Sequence, residues 1–314
     1  MGFYFKKFFH HLKNRTLFLV IKRTLYVKKH LKKENFDEKE YLVGLGIKTL
    51  GYRMDLDNPK SFNEKINWLK LNYIDEKMKY VVDKINAKEY LKSLGLNKYV
   101  IPTIKVYDKF QNINLDELPQ KFVIKNTQDS GGVFVCKDKS LITINDISKK
   151  LKNKAGFISA NGRTWSLEPV YGVDSNKVIV EELLNTPDGH APWDYKFFCF
   201  NGEPKFLYVA TNRDRNVCFD FFDIDFNHLK VKQCHPNSNA IIKKPRNYDT
   251  MLNVCRALSK NFPEVRVDLY NINGNIYFSE LTFYSNAGLL PFKPKKWDRI
   301  FGDMWDLSKI DEFR

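Results

Sequence analysis

The sequence predicts an α+β fold made of antiparallel hairpins and amphipathic helices. Three observations predict it. Asn273-Gly274 and Asn201-Gly202 are tight-turn dipeptides, each lying between segments that read as paired strands. Short apolar or alternating runs at residues 122–125, 178–184 and 194–200 have strand length. Residues 248–261 instead show helical spacing, with Met251, Leu252, Val254, Cys255 and Leu258 apolar.

With 314 residues, the chain is long enough for two domains or one large one. Its net charge is +15, and residues 1–33 carry ten Lys or Arg and no acid. The charge is therefore an N-terminal feature, and the body is only mildly basic. The five cysteines, Cys136, Cys199, Cys218, Cys234 and Cys255, are scattered and form no CxxC pair. They read as reduced cysteines of a cytoplasmic protein. Cys234-His235 has no second pair at ligand spacing, so no zinc site is expected. No stretch approaches the length of a transmembrane helix.

Residues 1–33 mix Phe3, Tyr4, Phe5, Phe8, Phe9 and Leu12 with Lys6, Lys7, Lys13 and Arg15, and a second apolar run at 17–21 precedes Lys22 and Arg23. The run is short, more basic residues follow it, and no small-residue cleavage site appears, which argues against a signal peptide. A basic, aromatic helix of this kind lies on an anionic membrane surface, with lysines at the headgroups. The alternative is a solvated helix packing its phenylalanines on the body. The segment matches no nucleic-acid-binding motif, so a nucleic-acid partner is not expected.

Residues 36–57 read as a helix and its exit. Ser61 and Glu64 have capping-box spacing, and a helix follows to about residue 71. Another begins at Asp83-Lys84 and ends near Gly95, a C-cap glycine. A strand is expected at 103–107 and a turn at Leu118-Pro119. The strand 122–125 ends in Lys125, residues 126–132 form a loop closing in Ser130-Gly131-Gly132, and 133–136 return as a strand. Such a unit folds backbone N–H groups over phosphates, although it is not a P-loop, since no GxxxxGK[ST] occurs. Residues 141–154 read as an exposed helix. Residues 156–171, with Arg163, Trp165 and Glu168, read as a functional loop rather than core. The run 178–184 is a buried strand ending in acids. Residues 194–200 and 205–211 form the arms of one hairpin, which ends in Asn212-Arg213-Asp214-Arg215. The last hairpin places Arg266, Asp268 and Glu280 within reach of one sheet face. Two carboxylates beside an arginine suit Mg²⁺ and nucleotide phosphates, and equally suit an ordinary charged surface. The tail, 291–314, is aromatic and basic.

Taken in order, Asp83-Lys84, FVIK with its Gly-rich loop, VEELL, DYKFFCFNGEP, RVDLY and SELTF resemble the ATP-grasp superfamily. Within it they resemble the TupA-like group, named for teichuronopeptide biosynthesis, over roughly residues 40–307. The resemblance implies an ATP-grasp fold with two lobes and nucleotide between antiparallel sheets. The division is then a basic amphipathic segment 1–36, a mostly helical region 37–100, a small lobe 101–184 and a large lobe 185–314 with the metal site. Lys84 and Lys125 match the phosphate-contacting lysines, suited to phosphate as mobile point charges. The loop Gln128, Ser130, Gly131 and Gly132 matches the phosphate lid. Glu181, Glu182 and Leu183 match the adenine hinge, and Asp194 the acid for the ribose hydroxyls. Arg266 would stabilise the transferred phosphoryl group, and Asp268 and Glu280 would ligate Mg²⁺. Many relatives carry Asn two residues after the metal Glu. Here that position is Thr282, with Asn286 further on, so the third ligand is open. Lys196 and Arg213 are candidates for a substrate carboxylate or phosphate, with Thr282 and Asn286 beside them.

The activity so implied is ATP-dependent carboxylate–amine ligation through an acyl phosphate, with ATP and Mg²⁺ as cofactors. The family name suggests a uronic acid of a cell-surface or capsular polysaccharide, or its precursor, as the carboxylate partner, joined to an amine. The expected location is cytoplasmic, peripheral at the inner face of the membrane through residues 1–33. Two alternatives stand beside it: a kinase or sugar-modifying transferase with the same ATP site, and a non-catalytic basic protein that binds a polyanion.

Overall fold

Ten strands among the described residues pair with one another antiparallel and form two sheets, packed by helices. The computed structural model describes residues 25–27, 29–30, 37–128, 132–152, 164–171 and 177–314. The N-terminal segment expected on a membrane surface therefore lies almost wholly outside the described residues.

Helix α1 (Glu38–Thr49) starts at the Asp37 cap. Helix α2 (Phe62–Asn72) starts at Ser61, and its capping box with Glu64 forms as the sequence predicts. Helices α3 (Glu76–Val81) and α4 (Lys84–Ser93) follow, the latter capped by the Asp83 carboxylate on the N–H groups of Ile85 and Asn86. Gly95 then takes φ +72°, the left-handed conformation that closes a helix.

The small sheet holds β1 (Thr103–Tyr107), β2 (Phe122–Asn126), β3 (Val133–Cys136) and β4 (Val178–Glu182), in the order β1-β4-β2-β3. One face carries Phe122, Ile124, Val178 and Val180 into a core closed by α5 (Ile144–Lys152). The sequence predicts an exposed helix here. Ile147 and Leu151, four residues apart, are instead buried against the sheet. The other face turns Val123, Lys125, Ile179 and Glu181 towards the large lobe.

The large sheet holds β5 (Asp194–Phe200), β6 (Glu203–Thr211), β7 (Cys218–Asp223), β8 (His228–Leu229), β9 (Glu264–Ile272) and β10 (Asn275–Thr282), in the order β10-β9-β5-β6-β7-β8. Every residue of β5 is buried, because both of its faces are covered. On one face Phe197 packs on Tyr248 of α6 (Tyr248–Ser259), with Met251, Cys255 and Leu258 in the same core. On the other, Phe198 stacks on Phe206 at 4.3 Å, Phe206 on Phe301 of α7 (Lys296–Asp303) at 3.8 Å, and Phe200 on Trp305 at 5.2 Å.

Helix α2 is joined to residues 287–305 through buried polar side chains. Asn63 Nδ2 donates to Leu290 O (3.3 Å), Asn67 Nδ2 to Gly288 O (2.7 Å) and Lys70 Nζ to Ala287 O (2.7 Å), while Lys65 Nζ reaches Gly302 O (2.8 Å) and Trp305 O. The segment they hold is contorted: Tyr284, Asn286, Ala287 and Gly288 all have φ between 51° and 56°. Lys70 also donates to Ser166 O (2.9 Å), so residues 164–171 dock on the large lobe. The sequence reads that stretch as a loop rather than core, yet Val170 and Ser166 are completely buried.

Candidate active site

Strand alternation puts Glu264, Arg266, Asp268 and Tyr270 of β9 on one face. The register places Lys196 of β5 opposite Asp268 and Asp194 opposite Tyr270, on the same face. Glu280 reaches that face through a bulge. Phe278 pairs with Leu269 but Glu280 pairs with Asp268, so Ser279 is the extra residue. Without it Glu280 would oppose Val267 and point at α6.

The polar groups form one network. Arg266 clasps Asp268 with Nε to Oδ1 (2.7 Å) and Nη2 to Oδ2 (2.8 Å). It also donates to Thr282 Oγ1 (3.0 Å) and Ser285 Oγ (3.0 Å). Lys196 Nζ lies between Asp268 Oδ2 and Asp194 Oδ2, the latter at 2.8 Å. Arg213 Nη1 donates to the same Asp194 oxygen at 2.6 Å, while Asp194 Oδ1 is buried with no hydrogen-bond partner among the described residues.

Helix α4 meets this network at Glu280. Lys84, the first residue of α4, brings Nζ to 3.7 Å from Glu280 Oε2, and its N–H donates to Thr127 O (3.0 Å) just past β2. Arg266 Nη2 is 3.6 Å from Glu280 Oε1. Lys125 pairs with the buried Glu181 at 2.6 Å, and Lys88, one turn after Lys84, pairs with the other Glu181 oxygen at 2.5 Å.

Six cations, Lys84, Lys88, Lys125, Lys196, Arg213 and Arg266, thus face four carboxylates, Glu181, Asp194, Asp268 and Glu280. The surplus is two positive charges, which complements the negative charge a nucleoside triphosphate keeps after taking up one magnesium ion. Burial pushes the Glu280 carboxyl up, but Lys84, Lys196, Arg266 and Lys125 around it pull it down further, to about 2. Burial pushes Lys125 down, and the Glu181 carboxylate more than reverses this, so the lysine stays charged.

Glu280 is the carboxylate best fitted to a hard cation: it is ionised, a quarter exposed, and held only by long ion pairs. Both Asp268 oxygens already carry Arg266 and Lys196, so a cation there shares them. Among the described residues no three His, Cys, Asp or Glu side chains gather at metal-binding spacing.

Of the other sequence-derived candidates, Thr282 joins the network through Arg266. Asn286 does not, since its amide donates to Gln233 Oε1 (3.0 Å). In the expected hinge, Glu181 and Glu182 lie in the β4 ladder, the Glu182 N–H donates to Pro102 O (3.1 Å), and Leu183 is the first residue beyond the strand. Ser130 and Gly131 lie outside the described residues, as does Arg163. Gly132 is buried and its carbonyl accepts from Asn126 N (3.1 Å), while Gln128 Oε1 is buried without a hydrogen-bond partner among the described residues. Sequence reasoning missed Lys88, Tyr270 and Ser285. Only Lys88 carries a signal, its i,i+4 spacing from Lys84.

The sequence model of the family described as TupA-like ATPgrasp matches residues 64–306. Among solved structures, the D-alanine–D-alanine ligase of Bacillus anthracis complexed with ATP is similar at 16% identity and a TM-score of 0.38, over 65% of this chain and 54% of that one. The D-alanine–D-alanine ligase of Helicobacter pylori is similar at 14% identity and 0.38, over 73% and 61%. The D-alanyl-alanine synthetase A of Vibrio cholerae O1 biovar eltor is similar at 12% and 0.39, over 71% and 63%. The chain thus spans less than two thirds of the length of these proteins, and likenesses of this size carry no argument about the reaction. No curated protein sequence matches the chain.

Proposed function

The chain belongs to the TupA-like ATP-grasp family, and on that premise we propose that it is an ATP-dependent carboxylate–amine ligase. The observation that carries the proposal is the gathering of cations from four elements about Glu280 and the carboxylates beside it. Lys84 of α4 and Arg266 of β9 lie within 3.7 Å of Glu280, Lys196 of β5 is paired with Asp268, and Lys125 of β2 with Glu181. Charge neutralisation along a triphosphate requires such a gathering, from both lobes, around an ionised metal-binding carboxylate.

In this reading Lys84 and Lys125 hold the phosphates, and Arg266 faces the transferred phosphoryl group, its fork fixed by Asp268, Thr282 and Ser285. Glu280 and Asp268 would hold a magnesium ion, whose charge would offset that of the phosphates. Asp194 keeps one buried oxygen without a hydrogen-bond partner among the described residues, the acceptor this reading gives to a ribose hydroxyl. Leu183 supplies main chain for the base edge, and the phosphate loop of this reading falls on residues 128–132, of which 129–131 lie outside the described residues. Arg213, more exposed than Lys196, is the better anchor for an incoming carboxylate. Phosphorylation of that carboxylate followed by attack of an amine gives an amide, ADP and phosphate. The carboxylate we assign to a uronic acid of a cell-surface polysaccharide or its precursor.

The test is release of ADP and phosphate from Mg-ATP with uronic acids and amines supplied in pools, for wild type, Asp268→Ala and Glu280→Ala. Turnover that needs both pools, and falls at least about 100-fold in each variant, is expected. ADP without free phosphate would mark phosphoryl transfer to the acceptor instead. Equal ATP binding by all three proteins with no turnover would refute the metal assignment.

A further inference from the structure

Away from the site, the chain from 226 to 248 carries no Asp or Glu, and neither does the chain from 281 to 297. The two stretches meet at an antiparallel bridge between Lys232 and Lys293, each N–H donating to the other's carbonyl at 2.9 Å. Their neighbours Val231 and Phe292 turn inward and are buried. Lys232 and Lys293 therefore stand outward side by side, with Cα atoms roughly 5.5 Å apart as in any such pair. Lys230, Lys295 and Lys296 are exposed beside them, Lys295 lying over the Tyr52 ring at 4.3 Å. None of the five makes an ion pair with a described residue. Like charges directly opposite on a ladder repel.

Interior hydrogen bonds link this surface to the site. Gln233, buried next to Lys232, donates to Leu290 O (3.0 Å) and accepts from Asn286 (3.0 Å). Asn286 is exposed, and the preceding Ser285 accepts the hydrogen bond of Arg266.

We propose that Lys230, Lys232, Lys293, Lys295 and Lys296 form a docking surface for an extended acidic polysaccharide, whose successive carboxylates lie along the lysines while one unit enters the site. The proposal rests on the ligase reading above and extends it from a single uronic acid to a polymer. Three features favour a glycan over other anions. No large apolar side chain is exposed at 230–235 or 293–296, so nothing here would anchor in a lipid interface. The cations are lysines without an arginine fork, and the ring among them, Tyr52, is half-buried and covered by Lys295. The surface also leads to a site that requires a carboxylate.

The experiment measures binding of a soluble glucuronic acid homopolymer to the full chain across a salt series. Wild type is compared with the triple variant Lys232→Gln, Lys293→Gln, Lys296→Gln, and Mg-ATP binding is measured in parallel. The basic residues 1–33 are present in both proteins, so the difference isolates the surface. The variant should bind the polymer about tenfold more weakly, with a shallower salt dependence, and bind Mg-ATP as wild type does. Equal polymer affinity of the two proteins would overturn the proposal. So would binding of phosphatidylglycerol vesicles that depends on these lysines when polymer binding does not. Failure of both proteins to bind Mg-ATP, with the polymer difference intact, would overturn the ligase reading and leave the surface standing.

Discussion

Replacing Glu264 by glutamine should flatten the pH dependence of stability. Glu264 is completely buried, at the inner end of the row that continues through Arg266 and Asp268. One carboxyl oxygen accepts from Tyr284 N at 3.1 Å, and the other, Oε1, has no hydrogen-bond partner among the described residues. Burial, reinforced by the nearby Glu168, outweighs Arg266 and the Tyr284 N–H and pushes the carboxyl from its ordinary 4.5 up to about 8. A carboxyl raised in this way contributes stability that is complete below its unfolded value near 4.5 and is lost as pH rises through its folded value. At about 1.4 kcal/mol per pH unit, the wild type should lose about 3 kcal/mol between pH 5 and 7.5 through this residue alone. Glu264→Gln keeps the shape and cannot ionise. Urea unfolding of both proteins from pH 5 to 8.5 should give similar stabilities at pH 5 and a gap that widens with pH in favour of the variant. Parallel curves would refute the assignment of a neutral, buried Glu264. Asp298, another raised carboxyl but one not coupled to Glu264, titrates in both proteins and cancels in the difference.

The remaining predictions concern a close approach and the N-terminus. A Cβ on Gly302 would lie 2.2 Å from Lys60 O and 2.7 Å from Phe62 N, both main-chain atoms at the start of α2. Gly302→Ala should therefore cost about 2 kcal/mol or more, read as a lower urea midpoint, and an unchanged midpoint would contradict that packing. Deleting residues 1–33 should release the protein from phosphatidylglycerol vesicles while Mg-ATP binding persists. Unchanged vesicle binding would remove the membrane role of that segment.

Where local chemistry decides the structure, the sequence is a good guide. The turns at Asn201-Gly202 and Asn273-Gly274 form, with all four residues at φ between 51° and 84°. The Ser61–Glu64 box and the Asp83 cap need only neighbours within one turn, and both form. The site is less legible. The sequence reading sets Glu280 on the face of Arg266 and Asp268, as the structure does, yet strict register from the Asn273-Gly274 turn would put it on the other face, and only the bulge at Ser279 brings it beside Asp268. No residue type at that position announces a bulge. Lys70 and Lys65 are hidden for a related reason. Lysine within a helix reads as solvated, yet these two are buried because main-chain carbonyls from more than 200 residues away arrive to receive them. The helix at 144–152 is read as exposed because its charges outnumber its apolar residues, although two apolar positions suffice to dock it.

The polar join made by helix α2 bears on how the chain matures. Asn63, Lys65, Asn67 and Lys70 bond carbonyls of residues 287–305, a sequence separation of 217 to 240. During synthesis the helix leaves the ribosome long before its acceptors exist, and until they arrive its amides and ammonium groups have only water for partners. The large sheet is threaded in the same interval, since β10 ends at Thr282, shortly before the first acceptor. Closure of the large lobe is thus a late, non-local event that awaits the final part of the chain. A nascent chain stopped before residue 287 would carry every strand of both sheets and still lack the contacts that seat Arg266 through Ser285.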